Sequence, residues 1–127
     1  FTHLFDDDER RMALGEIYAL LNSGGVAVID HRNYDTMLDK GFSSKHQSYY
    51  LGETVDVRPE SVSEESVRLR YSYSDGSVHH LTVCPIRQDH LTRLLRETGF
   101  ERVERYGDFK AEYDRYDPDF IIQVAMK

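Results

Sequence analysis

A continuous apolar run that ends abruptly in polar side chains most constrains the fold of this chain. Residues 26–29 read Val-Ala-Val-Ile, follow a glycine pair at 24–25, and lead directly into Asp-His-Arg-Asn at 30–33. Because the run is apolar at every position rather than at alternate ones, it predicts a strand buried on both faces. Ligands bind outside the carboxyl ends of strands in open α/β sheets. If this strand is parallel and internal, the polar cluster at 30–33 occupies such a place.

The residues before this strand have the pattern of an amphipathic helix. Ala13, Ile17 and Leu20 recur at helical spacing within a helix predicted over 8–21. An acidic triplet precedes it and supplies N-cap candidates, and the glycine pair ends it. A helix, a glycine turn and a buried strand predict one unit of a doubly wound α/β sheet. A short helix over 34–40 follows the strand.

The middle of the chain contains three extended runs, at residues 49–58, 66–73 and 78–83. The second run alternates strictly between apolar and polar residues, which predicts an antiparallel sheet with one solvated face. An Asp-Gly turn at 75–76 predicts a hairpin between the second and third runs. Residues 59–65 are acidic and rich in serine, and they predict a connection between the first two runs.

The end of the chain returns to a helix followed by strands. Gln88–Thr98 is amphipathic and is followed by a glycine, which predicts a helix with a glycine C-cap. Residues 100–106 predict a strand, a polar loop begins at Gly107, and residues 120–125 predict a closing strand.

Length and charge narrow the class of protein. A chain of 127 residues predicts one domain. The net charge of −7 disfavours binding to nucleic acid or to an anionic membrane. The single cysteine cannot form an internal disulfide, so a reducing compartment and a cytoplasmic location are expected. No apolar run approaches the length of a membrane span. Because the chain begins at Phe1 rather than at a methionine, we expect it to be part of a longer protein.

Residues 28–35, Val-Ile-Asp-His-Arg-Asn-Tyr-Asp, resemble the hallmark of the glycine N-methyltransferases, and in particular of the bacterial glycine/sarcosine N-methyltransferases. The resemblance covers nearly the whole chain, but only the later half of such an enzyme. Further segments resemble the family in the same order: residues 1–5, 44–46, 49–50, 73–77, 106–109 and 117–120.

This resemblance implies an α/β fold, the later half of a class I, Rossmann-like methyltransferase. Residues 1–41 would form an α/β unit with the polar motif. Residues 42–84 would be an inserted antiparallel meander that acts as a lid over the active site. Residues 85–127 would contribute the terminal helix and an antiparallel pair of strands.

Arg32 is the leading candidate for a substrate-binding residue. A guanidinium can donate two parallel hydrogen bonds to one carboxylate, and an enzyme that methylates glycine must hold that carboxylate while leaving the amine free. The resemblance places the substrate-carboxylate arginine at this position. The alternative is an ordinary ion pair of Arg32 with Asp30 or Asp35.

Other side chains are implied to line the same site. The resemblance matches Tyr71 to a tyrosine whose hydroxyl contacts the substrate, whereas a tyrosine in a strand more often packs in the core. The resemblance also matches Tyr49 and Tyr50 to an aromatic pair in the family's lid segment. Tyr50 is the second substrate-binding candidate, because its ring or hydroxyl would lie near the positively charged sulfur of S-adenosylmethionine. His3, Asn33 and Tyr49 are possible lining residues. No residue is expected to act as a catalytic acid or base.

Metal and cofactor sites are expected to be absent from this chain or incomplete in it. The adjacent His79 and His80 would face opposite sides of a strand, and no Cys/His spacing suggests a metal. A class I methyltransferase binds S-adenosylmethionine through a glycine turn after its first strand and an acidic residue after its second. The glycine pair at 24–25 precedes a strand, so most of the cofactor site should lie elsewhere and the isolated chain should be inactive.

The complete protein is therefore expected to transfer methyl groups from S-adenosylmethionine to glycine and then to sarcosine, in betaine and osmolyte synthesis or in methyl-group metabolism. Its partners would be small amino acids rather than nucleic acid or membrane. The sequence does not decide whether the protein forms a homo-oligomer. The alternative is a non-catalytic module without a cofactor site, which either binds amino acids or dimerises through the edge strands of the meander.

Overall fold

The computed structural model of this chain describes residues 1–42 and 55–127 and is a mixed α/β structure with two antiparallel sheets. The elements in chain order are α1 Asp7–Leu20, β1 Val26–Arg32, α2 Tyr34–Asp39, β2 Asp56–Val62, β3 Val67–Ser72, β4 Val78–Val83, α3 Gln88–Thr98, β5 Arg102–Gly107 and β6 Phe120–Met126.

The first sheet has the strand order β1-β6-β5, and both neighbouring pairs are antiparallel. The prediction that the last two strands form an antiparallel pair is confirmed. β1 lies at an edge of this sheet within the described part of the chain. The prediction that β1 is buried on both faces is wrong, because Val28 is 62% exposed while Ala27 is buried. Helices α1 and α3 cover one face of the sheet, and no described element covers Val28.

Capping residues fix the start of helix α1 and the end of helix α3. Asp6 caps α1, since its side chain accepts a hydrogen bond from the Asp8 amide at 2.6 Å. Gly99 ends α3 in the left-handed conformation at φ 115°. Leu14 of α1 packs into one buried cluster with the apolar face of α3, but Leu20 is 85% exposed. No helix among the described residues is long and apolar enough to cross a membrane.

The second sheet is the predicted antiparallel meander, in the order β2-β3-β4. Val67 and Leu69 of β3 are buried and Arg68 between them is exposed, which confirms the single solvated face. The prediction that residues 59–65 only connect two strands is wrong, because β2 continues to Val62. An irregularity in the pairing at Pro59–Ser61 accommodates the proline, which has no amide hydrogen to donate.

The N-terminal segment forms a turn. The Leu4 amide donates to the Phe1 carbonyl at 3.1 Å, and the Cys84 amide donates to the Thr2 carbonyl at 2.8 Å. The second bond ties the start of the chain to the segment that leaves β4.

Gly107 lies at the end of β5 where a side chain has no room. A Cβ atom there would lie 2.6 Å from Cγ of Tyr113 and 2.7 Å from Cγ of Pro118. We predict that Gly107→Ala in the full-length protein lowers the free energy of unfolding by about 1–3 kcal/mol, as overpacking does. Gly15→Ala is the matched control, since nothing lies within 4 Å of its Cβ position in α1.

Gly15→Ala should be neutral or stabilising by up to about 1 kcal/mol, because alanine favours a helix over glycine. Urea unfolding of the two variants tests both statements. An unchanged midpoint for Gly107→Ala would contradict the close packing around that residue.

Candidate functional site

A small cleft lies at the carboxyl end of β1, with about 10 Å³ of room, roughly that of one water molecule. It is bounded by the end of β1, by α2 and residues 41–42 beyond that helix, and by the two residues just before β6. Its lining includes Arg32, Asn33, Thr36, Met37, Phe42 and Asp119. The polar motif therefore does lie at a strand end beside a concave surface, although β1 runs along the edge of an antiparallel pair.

Arg32 is half-buried in this cleft and is held by aromatic rings. Its guanidinium carbon lies 5.3 Å from the centroid of the Phe120 ring and 5.9 Å from that of Phe42. Of the ion pairs formed among the described residues, none includes Arg32. The alternative interpretation, an ion pair with Asp30 or Asp35, is therefore not what the structure shows, since Asp35 is paired with other arginines.

Asn33 lines the cleft, but its amide group already bonds to the protein. The side-chain nitrogen donates to the carbonyls of Arg115 at 2.8 Å and Pro118 at 3.1 Å. The side-chain oxygen accepts from the Thr36 amide, which caps α2, and from the Gln88 side chain at 3.2 Å. Its hydrogen-bonding capacity is thus used to join β1 to the loop before β6 and to α3.

Asp35 is a fully buried carboxylate that sequence reasoning did not select as a site residue. It accepts hydrogen bonds from Arg87 at 3.2 Å, from Arg115 at 3.1 Å and from the Gln88 amide at 3.3 Å. Two guanidiniums and an amide provide the charge and the hydrogen bonds that a buried carboxylate requires. The partners lie 52, 53 and 80 positions away in the sequence, so no local pattern announces them.

Arg87 extends this arrangement to the meander. It also bonds Asp39 of α2, at 3.0 and 3.1 Å, and Glu64 between β2 and β3. The hydrogen bond to Glu64 has the larger effect and the bond to Asp39 the smaller one, and both raise the pKa of Arg87 above its usual value. The cation therefore links the meander to α2 and to the start of α3, beside the cleft.

Tyr34 connects the two predicted substrate-binding residues that lie in the described part of the chain. It is buried, and this burial raises the pKa of its hydroxyl, while a hydrogen bond to Thr2 and the charge of Arg32 oppose the shift. Tyr71 packs at the margin of the apolar cluster that contains Tyr34, but it does not line the cleft. Tyr34 therefore lies near Tyr71 through this cluster and near Arg32, two positions earlier in the chain.

His31 faces away from Arg32, as the alternation along a strand predicts. Nδ1 donates to the Arg32 carbonyl at 2.7 Å, and the ring stacks on Tyr34 with centroids 6.1 Å apart. Nε2 is buried and has no hydrogen-bond partner within residues 1–42 and 55–127. Burial lowers the pKa of His31 below its ordinary value of 6.5.

The remaining candidates are not brought to the cleft by the described residues. His3 is exposed in the N-terminal turn and does not line the cleft. Tyr49 and Tyr50 lie outside the described residues. Within residues 1–42 and 55–127, no group of three or more His, Cys, Asp or Glu side chains could hold a metal ion.

Asp35→Asn should destabilise the full-length protein, because the substitution removes the buried negative charge that faces two arginines. We expect a loss of about 2–3 kcal/mol in the free energy of unfolding, at the low end for a broken buried pair since both arginines reach solvent. Asp39→Asn is the matched control, because Asp39 also pairs with Arg87 but is one-third exposed. It should cost much less than Asp35→Asn, because an ion pair that reaches solvent contributes little to stability. Equal losses in urea unfolding would contradict the role given to Asp35.

His31 should make stability depend on pH. Because its folded pKa is lowered, the unfolded chain takes up a proton below pH 6.5 that the folded protein resists. Stability from this residue is full above pH 6.5 and falls below it by up to about 1.4 kcal/mol per pH unit. We predict that His31→Gln flattens the decline between pH 6.5 and 5, and that exposed His79→Gln does not. Identical pH profiles for wild type and His31→Gln would contradict this.

Comparison with known proteins agrees with the motifs. The chain is 48% identical over all 127 residues to a glycine/sarcosine N-methyltransferase of Aphanothece halophytica, and 49% identical to one of Halorhodospira halochloris. It covers 48% and 47% of these two relatives, so it spans about half their length. A glycine/sarcosine/dimethylglycine N-methyltransferase of Actinopolyspora halophila is 48% identical, with 22% of its length covered. No family model matches the sequence.

Solved structures agree on the fold. An S-adenosylmethionine-dependent methyltransferase from Clostridium acetobutylicum matches 98% of this chain with a TM-score of 0.72, at 13% identity and over 53% of its own length. A methyltransferase from Streptomyces caelestis matches 98% of the chain with a TM-score of 0.58. The predicted resemblance is confirmed. The whole chain is similar to a segment that makes up about half the length of these glycine/sarcosine N-methyltransferases. It has the α/β fold of part of an S-adenosylmethionine-dependent methyltransferase.

Proposed function

We propose that this chain is part of an N-methyltransferase that transfers methyl groups from S-adenosylmethionine to glycine and to sarcosine. The observation that carries the proposal is Arg32, a guanidinium that lines the cleft beside two aromatic rings and forms no ion pair with another described residue. The two relatives that are 48% and 49% identical to the chain are named for these two substrates. Arg32 would bind the carboxylate that both amino acids share.

The chemistry that remains is mainly orientation. A neutral amine can attack a methyl group in line with the departing sulfur, so holding the two reactants in position supplies much of the rate. Arg32 would fix the carboxylate, and Tyr71 and Tyr50 would surround the amine and the methyl group. Asn33, His3 and Tyr49 are proposed as lining residues. Asn33 would act through its backbone and its shape, since its side chain already bonds the protein.

S-adenosylmethionine would supply the methyl group, and the described residues would form only part of its site. The glycine pair is packed at the helix exit, where a Cβ on Gly25 would lie 2.8 Å from the Asn22 carbonyl oxygen. The Gly24 amide donates to the Lys127 carbonyl at 2.9 Å, so this turn is joined to the chain's own last residue. We therefore propose that most of the cofactor site belongs to the part of the enzyme that this chain does not span, and that the chain alone is inactive.

The setting follows from the same proposal. Methylation of glycine and sarcosine would serve betaine synthesis in the cytoplasm, with small amino acids as partners. The net charge of −7 opposes binding to nucleic acid or to anionic lipid. The antiparallel meander would act as the lid over the cleft, tied to α2 by the ion pairs of Arg87 with Glu64 and Asp39.

A methyltransferase assay of the full-length protein tests the proposal. Glycine, sarcosine and dimethylglycine are supplied in parallel, and methylated products are separated. Turnover of glycine and of sarcosine supports the proposal. A protein that binds glycine but turns over none of the three would be a non-catalytic binding module, and the proposal would fail.

Arg32→Lys in the full-length enzyme should raise KM for glycine about tenfold to a hundredfold, because lysine keeps the charge but loses the planar fork, and one charged hydrogen bond is worth about 1.5–3 kcal/mol. Turnover should also fall, since a tilted carboxylate misdirects the amine. Tyr71→Phe should show the same pattern more weakly. Cofactor affinity should change much less.

Arg58→Lys is the matched control, because Arg58 is exposed and pairs only with Asp56 among the described residues. Steady-state kinetics with glycine varied, together with separate cofactor titrations, measure these effects. Unchanged glycine kinetics in Arg32→Lys would make Arg32 an ordinary surface residue.

A further inference from the structure

We propose that Phe120 and Phe42 are positioning residues that hold the Arg32 guanidinium by its faces and leave its hydrogen-bonding edge for a substrate carboxylate. This inference rests on the proposed function of Arg32 and extends it to two aromatic side chains that the sequence motifs do not mark as part of a site. The two rings come from different elements, and each is placed by a separate feature of the backbone.

The register of the first sheet places Phe120. Arg32 is the last residue of β1 and Phe120 the first residue of β6, and the two are directly opposite in the antiparallel pair. Side chains directly opposite each other on such a pair project from the same face of the sheet. The observed 5.3 Å between the guanidinium carbon and the ring centroid follows from that register.

The backbone around Phe120 is held in place by the loop before it. Asp108 accepts hydrogen bonds from the Phe120 amide at 2.9 Å and from the Asp119 amide at 3.0 Å. The backbone amide of Asn33, the residue that follows Arg32, donates to the Asp119 carbonyl at 2.9 Å. The ring and the guanidinium are therefore carried by backbone segments that are bonded to each other.

Phe42 approaches from the other element. It follows Gly41, whose φ of +92° is a conformation that glycine adopts without a steric penalty. This turn ends the α2 segment and brings the Phe42 ring to 5.9 Å from the guanidinium carbon. Both phenylalanines are half-buried, and Phe42 also lines the cleft.

Aromatic rings hold a guanidinium differently from a carboxylate. A ring face attracts the cation through its quadrupole, and it takes none of the five N–H donors of the guanidinium. Arg87 and Arg115, by contrast, spend their donors on Asp35 and other carboxylates. Aromatic support therefore fixes the position of Arg32 and keeps its charge and its donors for an incoming anion. The ligand class that this favours is a small monocarboxylate that approaches in the plane of the guanidinium.

A double-mutant cycle in the full-length enzyme tests this inference. Phe120→Leu removes the ring but keeps an apolar side chain, and Arg32→Gln removes the cation. The cycle compares kcat/KM for glycine, measured by transfer of a labelled methyl group, in the wild type, both single variants and the double variant. Phe120→Leu should lower kcat/KM about threefold to tenfold, mainly through KM, as loss of a cation–π contact predicts. In the Arg32→Gln background it should change kcat/KM less than twofold.

Phe120→Tyr retains the ring and should keep KM within about twofold of the wild type. Phe42→Leu repeats the cycle with the second ring, so the test stands even if Phe120→Leu does not fold. Cofactor affinity should be unchanged in all of these variants.

The outcomes separate the two proposals. If Arg32→Gln itself leaves kcat/KM unchanged, the proposed function of Arg32 fails. If Arg32→Gln is strongly impaired but Phe120→Leu and Phe42→Leu have no effect, or have equal effects with and without the arginine, the function stands and the positioning role is wrong.

Discussion

The arrangement around the cleft depends on the hydrogen bonds and ion pairs that surround the buried carboxylate of Asp35. A charge without solvent is tolerated only when cations and hydrogen-bond donors surround it. Arg87, Arg115 and the Gln88 amide meet this requirement from α3 and from the loop before β6. The motif at the end of β1 is thereby tied to two distant parts of the chain. Arg32 projects beside this network without joining it.

Gln88 shows how far the same polar network reaches. Its side chain donates to Asn33 and to the Arg115 carbonyl, and its side-chain oxygen accepts from the Tyr113 hydroxyl at 3.1 Å. Its carbonyl accepts from Gln123 of β6, a buried residue that also bonds Thr92. Buried polar groups that are satisfied in this way favour one relative placement of α3, β1 and β6 over others. That placement sets the walls of the cleft.

Local pattern predicted the elements whose structure depends on neighbouring residues. The helix Gln88–Thr98 and the strand Val78–Val83 were predicted with the bounds that the structure has, because leucine spacing, a following glycine and a hairpin turn suffice for them. The exposure of Val28 could not be predicted, since a continuous apolar run does not reveal which segment covers it. The first extended run was predicted to end at Arg58, before Pro59, but β2 continues to Val62 because proline is tolerated where the pairing is irregular.

The site divides in the same way. Arg32 and Tyr71 came from family resemblance, whereas Asp35 came from neither periodicity nor motif reasoning, because its partners lie more than 50 positions away. The aromatic support of Arg32 depends on a strand register that appears only when β1 and β6 are paired. Sequence thus proposes Arg32 as the residue that binds the substrate carboxylate, and the tertiary structure adds two aromatic rings that lie beside its guanidinium.

The most direct measurement is a crystal structure of the full-length protein with glycine and S-adenosylhomocysteine. We predict that both oxygens of the glycine carboxylate lie about 2.7–2.9 Å from two nitrogens of Arg32, as in a charged bidentate pair. The centroids of the Phe120 and Phe42 rings should stay within about 6 Å of the guanidinium carbon. A glycine carboxylate bound by another cation, with Arg32 turned away or paired with a protein carboxylate, would contradict the central claim.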